Sequence, residues 1–576
     1  MILAVKKTVM LRILLVGGLL VTAHLVCGQA FEGNRTVTYD EAIAAYQRLD
    51  RESSEAELIE VGSTDSGRPL HLFVIERSAS SGPKSTLFIN NGIHPGEPCG
   101  VDASIQLAER LLNPDHVLNT LLDSVKVVIV PLYNVGGALR RGCCVRANQD
   151  GPEEYGFRGN ARNLDLNRDF IKADALNTFG FYRAFHLSNP EVVIDTHTSN
   201  GADYSYVMTM LNTQPDKAGR VIGDYMRDKM NPNLYGAMEV AEYELIPYVM
   251  LRKQTPDDGI FDYLETPRYT TGYSALFNAI GYTTETHMLK PFADRVESTY
   301  RFLVSVLGYM YTYNSEVLAV KREAEQALQA QTVLPVNWSL DTTTFRMIPF
   351  KGYEAEYPTS EVTGAKRLFY NRARPYIKEI RYYDTYRATD SVTVPHAYVV
   401  PQAWREVIDR LEANGVEMER LERDTVLRLE CYYIRDYQAA SRPYEGHHMK
   451  TVKQMETVIE EVQLFQGDWL IHPNQKAKRY IVETLEPKAV DSFFRWGFFD
   501  SVLQQKEWYS DYVFEDRAAE LLASDEGLRK AFLAKKASDA DFAASPDAQL
   551  YWIYQRSPHY EGTVNRYPVY RIPEKQ

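Results

Sequence analysis

The stretches "STLFIN", "VKVVIV" and "EVVID", at 85–90, 125–130 and 191–195, each carry consecutive apolar side chains. A strand presents successive side chains to opposite faces, so an uninterrupted apolar run has to be covered on both. Helix-period segments such as "CGVDASIQLAERLL", 99–112, lie between these runs. Strands that need cover on both faces, alternating with helices that can supply it, predict an α/β fold with a mixed, largely parallel sheet flanked by helices. A chain that is 45% hydrophobic and 24% charged has the composition of a globular protein with ample core.

The same periodicities set the organisation. Residues 36–54 read as a helix, and 56–78 as two strands joined by a polar, glycine-containing turn. A Gly-, Arg- and Asn-rich excursion occupies 135–165. A helix is expected from about 298 to 311, and the polar stretch 317–331 reads as a solvated connector helix. Beyond 332 the texture changes to short Tyr- and Val-rich strands broken by Pro, Gly and Asp, with one clear helix in "VPQAWREVIDRLEANGV". The expected organisation is therefore a leader at 1–30, an α/β domain at 31–313, a helical connector at 314–331 and a β-rich mixed C-terminal region at 332–576 with no assigned role. The many tyrosines of that last region read as packed aromatics, and "GHH" at 446–448 as a surface turn.

The N-terminus places Lys6, Lys7 and Arg12 before an apolar run at 13–26 and then small residues, the pattern of a secretory signal. Cleavage is expected after Gly28 or Ala30; bulky Val26 argues against a lipoprotein at Cys27. The apolar run is short for a membrane span and no later segment offers a long uncharged one, so an exported protein, periplasmic or extracellular, without stable membrane insertion is expected. Removal of the leader takes the formal net charge from −13 to about −16. So acidic a chain argues against nucleic acid or anionic lipid as partner; oligomeric state is left open. Four cysteines remain, and two readings stay open: a disulfide between Cys99 and one of the vicinal pair Cys143 and Cys144, or free buried thiols including Cys431.

The residues able to do chemistry gather at strand ends. In "FINNGIHPGEPCG" His94 and Glu97 follow directly on an apolar strand. In an acidic chain with twelve histidines about one His-x-x-Glu arises by chance, and this is the one present. Its placement carries the weight, because open α/β sheets bind ligands beyond the carboxyl ends of their strands. His197, in "DTHTSNG", ends another strand. Two imidazoles and a carboxylate delivered to one sheet edge make a His2Glu set, which suits zinc and leaves a fourth position open. Between them "FRGNARNLDLNRDF" clusters Arg158, Arg162 and Arg168 among asparagines, a composition suited to gripping a carboxylate. Finally, "GYTTETHMLKPF" carries Glu285 on a strand-like segment, where a carboxylate beside a metal could serve as general base.

Taken in order, "GSTDSGRPLHLFVI", "HPGE", "NLDLNRDF", "DTHTSN" and "TTETHMLKP" resemble the zinc metallocarboxypeptidases of the carboxypeptidase A-like family, over about 36–313, and a secreted bacterial branch of it with a C-terminal extension. The resemblance implies one Zn2+ per chain held by His94, Glu97 and His197, and Glu285 as general base. It implies that Asn167 and Arg168 hold the free C-terminal carboxylate of a peptide substrate, and that Arg158, with Arg162 close enough to compete, polarises the scissile carbonyl. Asp165 matches the acid that orients the first zinc histidine. The family's substrate-capping tyrosine is one of Tyr263, Tyr269 and Tyr273, and Tyr273 is the candidate for substrate binding. The family's "NPDG" stands here as "NVGG" at 134–137, which alters a loop and no ligand. Two other readings accompany this one: a zinc peptidase or amidase acting on murein peptides, and a non-catalytic peptide-binding protein on a peptidase scaffold, the latter disfavoured because every expected residue is present.

Overall fold

The computed structural model describes residues 34–78 and 82–573; the leader lies outside them. Among the described residues ten strands precede the connector: β1 (Ala56–Ser63), β2 (Pro69–Ile75), β3 (Ser85–Asn90), β4 (Val125–Val130), β5 (Val192–Ser199), β6 (Met208–Asn212), β7 (Ile246–Pro247), β8 (Met250–Leu251), β9 (Ile260–Phe261) and β10 (Ile280–His287). Eight of them form one sheet in the order β1-β2-β4-β3-β5-β10-β6-β7. The four central strands run parallel, β4 to β3, β3 to β5 and β5 to β10, with β2 and β6 antiparallel on either side.

The sheet is covered on both faces, as the apolar runs require. Helix α1 (Tyr39–Glu52), held at its start by a Thr38–Glu41 capping box, joins α2 (Cys99–Leu112) on one face. Helix α3 (Leu176–Ser188) lies on the other, and α4 (Phe292–Thr312) returns to the first, followed by α5 (Asn314–Ala330). Side-chain alternation divides each central strand between two cores. Leu87, Ile89, Val192 and Ile194 pack with α1, α2 and α4, whereas Phe88 and Val193 pack with Phe181 and Phe185 of α3.

The second core does not end at the connector. Tyr398, Ile481, Trp496 and Tyr567 belong to the same buried cluster as Phe88 and Phe181. The change of texture near 332 therefore marks a change of composition within one packed body. Helix α5 is likewise less solvated than its charges suggest. Val317, Lys321, Ala324 and Leu328 form a buried stripe along it, and Lys321 Nζ donates to the carbonyls of Asn189 and Pro190.

After α5 come β11 (Val333–Leu340), β12 (Arg346–Glu356), β13 (Phe369–Tyr383), β14 (Tyr386–Thr393), β15 (Ala397–Val400), β16 (Glu419–Arg420), β17 (Thr425–Ala439), β18 (Lys450–Leu464), β19 (Trp469–Ile471) and β20 (Tyr570–Ile572). A four-stranded sheet, β12-β13-β9-β8, joins a C-terminal hairpin to strands of the N-terminal half, and a six-stranded sheet runs β16-β19-β15-β20-β17-β18. The expected helix is α6 (Arg405–Ala413). It is joined by α7 (Lys478–Leu485) and by a helical tail, α8 (Asp511–Ser524), α9 (Glu526–Ser538), α10 (Ala540–Ala544) and α11 (Pro546–Tyr554), with its own core around Phe514, Phe532 and Phe542. The β-rich reading thus omitted a helical tail whose start signals are local. Asp525, Asp539 and Ser545 each accept from a backbone N–H three residues on. Of the two cysteine readings, the Cys99 disulfide is not formed: Cys99 and Cys431 are free buried thiols, as the other reading expected, while Cys143 and Cys144 bridge each other, which neither anticipated.

Candidate metal centre and active site

Parallel register brings the site together. In the β5–β10 pairing His197 stands opposite Glu285, so the two side chains emerge side by side on one face. On the other flank of β5, Asn90, the last residue of β3, stands opposite Asp195. The chain leaving β3 then turns through His94 and Glu97 before α2 begins at Cys99. All three ligand candidates are buried, and their donor atoms lie within 4.8 Å of one another. Among the described residues this is the only such group of His, Cys, Asp and Glu; His447 instead pairs with Asp174 at 2.7 Å.

The protonation network selects one nitrogen of each ring. Asp165 Oδ1 lies 2.9 Å from His94 Nε2, and Asp195 Oδ2 lies 3.1 Å from His197 Nε2. Each carboxylate accepts from Nε2–H, which turns Nδ1 inward toward Glu97 as the nitrogen that would bind a metal. His94 Nδ1 is 3.3 Å from Glu97 Oε1, and His197 Nδ1 is 3.0 Å from Glu97 Oε2. Zinc–ligand distances of about 2.0–2.2 Å imply tetrahedral edges of roughly 3.3–3.6 Å. The donor set therefore fits a zinc ion with small adjustments. Burial alone would raise the Glu97 carboxyl; the neighbouring His94 and Arg146 charges hold it well below the usual range. Burial likewise disfavours the charged His197 ring, and Asp195 and Glu97 outweigh it, drawing the ring well above its ordinary value. Such concentrated negative charge is what a dication needs.

Arg158 is anchored by Asp165, through Nε at 3.0 Å and Nη2 at 2.8 Å, and its Nη1 approaches Glu97 Oε1 at 3.6 Å. Arg168 ends the short turn 166–168, which Asp165 caps, and its guanidinium lies 4.4 Å over the Tyr269 ring. Asn167 is buried beside it, held by its backbone N–H to Asp165 Oδ1. All of these except Asp165 line one cavity of about 380 Å³ together with His94, Glu97, His197 and Glu285. Glu285 is pushed up to about 8 by burial, against the pull of His197 and with added repulsion from Glu97 and Glu265.

Two expected residues stand elsewhere. Arg162 is exposed and turns away, its guanidinium donating to the Asp174 carbonyl, so it does not compete with Arg158. Tyr273 is fully buried among Phe181, Phe185 and Tyr182, with its hydroxyl donating to Asn414 Oδ1 at 2.7 Å. It is a core residue and cannot close over a substrate. The tyrosines that line the cavity are Tyr248, Tyr263 and Tyr269, and the last two share a hydroxyl–hydroxyl bond of 2.6 Å.

Three participants were not anticipated. Asp195 lies two residues before His197 on the same strand face, a spacing that could have flagged it. Arg146 donates to Glu97 Oε1 at 2.8 Å and to the Thr198 carbonyl at 2.9 Å; nothing in "CCVRANQ" signals that reach. Glu445, from the turn between β17 and β18, accepts the Asp165 backbone N–H at 2.8 Å. It adopts a left-handed conformation at φ 48° to do so.

A model of the zinc carboxypeptidase family matches residues 43–336. Carboxypeptidase 2 of Trichophyton rubrum is 23% identical over 496 residues, covering 81% of this chain and 85% of its own. The protein of the same name from Trichophyton equinum is 23% identical over 495 residues, with the same coverage. Among solved structures, a metallo-carboxypeptidase from Burkholderia cenocepacia aligns with 17% identity and a TM-score of 0.37 over 48% of this chain and 70% of its own. Carboxypeptidase A of Helicoverpa armigera aligns with 14% identity and a TM-score of 0.36 over 54% and 81%. With the family model spanning more than half of its length, the chain belongs to the zinc carboxypeptidase family of peptide hydrolases.

Proposed function

We propose that this is an exported exopeptidase that removes the C-terminal residue of peptides, with Glu285 as the general base. The observation that carries the reading is the strand register that sets Glu285 directly beside His197 in the cavity that also holds Arg168. A zinc ion held by His94, Glu97 and His197 would supply a Lewis acid for the scissile carbonyl and lower the pKa of a water.

Each residue then has a defined task. Arg168, with no carboxylate partner among the described residues, takes the substrate's free carboxylate, oriented by the Tyr269 ring beneath it and joined by Asn167. Arg158, fixed by Asp165, holds its Nη1 beside the metal set, 3.3 Å from His94 Nδ1 and 3.6 Å from Glu97 Oε1, and takes the carbonyl oxygen as it gains charge. Glu285 takes a proton from the attacking water and delivers it to the departing amine. The Glu285→Gln protein should keep one zinc per chain and lose about 10²–10⁴ in turnover of blocked dipeptides. A zinc-loaded Gln variant with wild-type activity would refute the assignment.

A further inference from the structure

Two side chains of opposite charge type, Arg168 and Glu265, line the cavity without an ion-pair partner among the described residues, although Asp165 acts on Arg168 and His197 and Arg168 act on Glu265 at longer range. Arg168 forms no ion pair among the described residues; its Nη1 donates to the Asn167 carbonyl and its plane rests on Tyr269. Glu265 is 7% exposed and lines the same cavity, yet it too forms no ion pair. Its Oε2 accepts from the hydroxyls of Thr271 and Thr283, and its Oε1 accepts from no group among the described residues. The other lining carboxylates are accounted for. Glu97 belongs to the metal set, and Glu285 stands beside His197.

A buried carboxylate with an unpaired oxygen discriminates strongly between occupants. An apolar side chain placed against it removes the last water and leaves the oxygen unbonded, which is unfavourable. A cationic side chain supplies both the missing hydrogen bond and the missing charge. A residue with a free α-carboxylate and a positively charged side chain matches Arg168 and Glu265 simultaneously. We propose that Glu265 is the specificity group of this site and that the preferred substrates end in lysine or arginine. This rests on the exopeptidase reading above, since it takes Arg168 as the carboxylate clamp. The Thr271 and Thr283 hydroxyls fix the Glu265 side chain from behind, so the carboxylate is oriented before substrate arrives.

The test is a panel of N-blocked dipeptides, identical at the penultimate position and ending in Lys, Arg, Leu, Phe or Glu. It is run on zinc-loaded wild type and on Glu265→Gln. In the wild type kcat/KM for the Lys and Arg peptides should exceed that for Leu and Phe at least tenfold, and the Lys-to-Leu ratio should fall at least tenfold in the variant. Free lysine should also inhibit wild-type hydrolysis more strongly than free norleucine, a comparison that needs no variant. Equal or faster cleavage of the Leu and Phe peptides, or a variant that slows every substrate by one common factor, overturns the specificity proposal and leaves the exopeptidase reading intact. Cleavage of none of them by the wild type overturns both.

Discussion

Replacing Asp195 with Asn tests how far the metal site depends on a residue that never touches the metal. The wild-type carboxylate is fully buried; its Oδ2 faces His197 Nε2 at 3.1 Å and accepts from Thr270, while Oδ1 accepts from Asn90 Nδ2 at 3.1 Å. The amide has two orientations. If its NH2 faces His197, the ring must accept through Nε2, which moves the ring proton to Nδ1 and blocks the nitrogen that would bind metal. If its carbonyl faces His197, the ring keeps its tautomer and the NH2 faces Asn90. Asn90 can rotate to meet it, because its own Oδ1 has no partner in the wild type. The second arrangement wins, and what is lost is the charge behind the imidazole. A charge-assisted bond exceeds a neutral one by about 1 kcal/mol, and partners of this kind change metal affinity roughly 10–100-fold. We expect the lower end, a zinc affinity weaker by about tenfold, or about 1.4 kcal/mol. Competition with a chelator, on protein whose circular dichroism matches wild type, reads this directly. A folded Asp195→Asn protein that binds zinc within twofold of wild type would refute the reasoning.

Other outcomes follow from contacts between the two halves. Burial tends to raise the Asp174 carboxyl, and His447 with Lys172 overrides this, bringing it down to about 2. A depressed folded-state pKa stabilises above the ordinary carboxylate value and ceases to as pH falls through about 2, so Asp174→Asn should cost about 2 kcal/mol at pH 7 and almost nothing near pH 2, measured by denaturant melts across pH. A chain ending at 331 would uncover the second core, where Phe88 and Phe181 pack with Ile481 and Trp496; each large apolar side chain exposed costs about 1.5–3 kcal/mol, so the fragment should be insoluble, and a soluble, active one would show the halves to be independent. Tyr273→Phe should lose about 1 kcal/mol of stability with the Asn414 hydrogen bond and keep kcat/KM within twofold, whereas a substrate-capping tyrosine would lose activity and little stability.

The catalytic half was legible because its signals are local and repeated. Apolar runs at 85–90, 125–130 and 191–195 announce buried parallel strands, and the polar residues that end them, His94, Glu97 and His197, fall at the edge where such sheets bind ligands. Tyr273 was misread for the converse reason. In "PRYTTGYSALF" three aromatic residues crowd a short turn and helix, and only packing tells which of them face the cavity and which face Phe181. The C-terminal region resisted reading for a different physical cause. Its contribution to the site depends on contacts spanning hundreds of residues, such as Glu445 on the Asp165 N–H and Arg268 on Asp491. Side-chain type alone does not encode partners at that separation. One trace was nevertheless available: an α/β sheet needs cover on both faces, and up to residue 331 helices α1, α2 and α4, with the helical segment 220–240, serve one face, while the other is served mainly by α3 with Phe170, Tyr273 and Leu328 beside it. The deficit of apolar helix on that second face requires that something later in the chain complete it. Read this way, the C-terminal region is a structural part of the catalytic body, and the β17–β18 turn that reaches Asp165 is how its packing touches the orientation of His94.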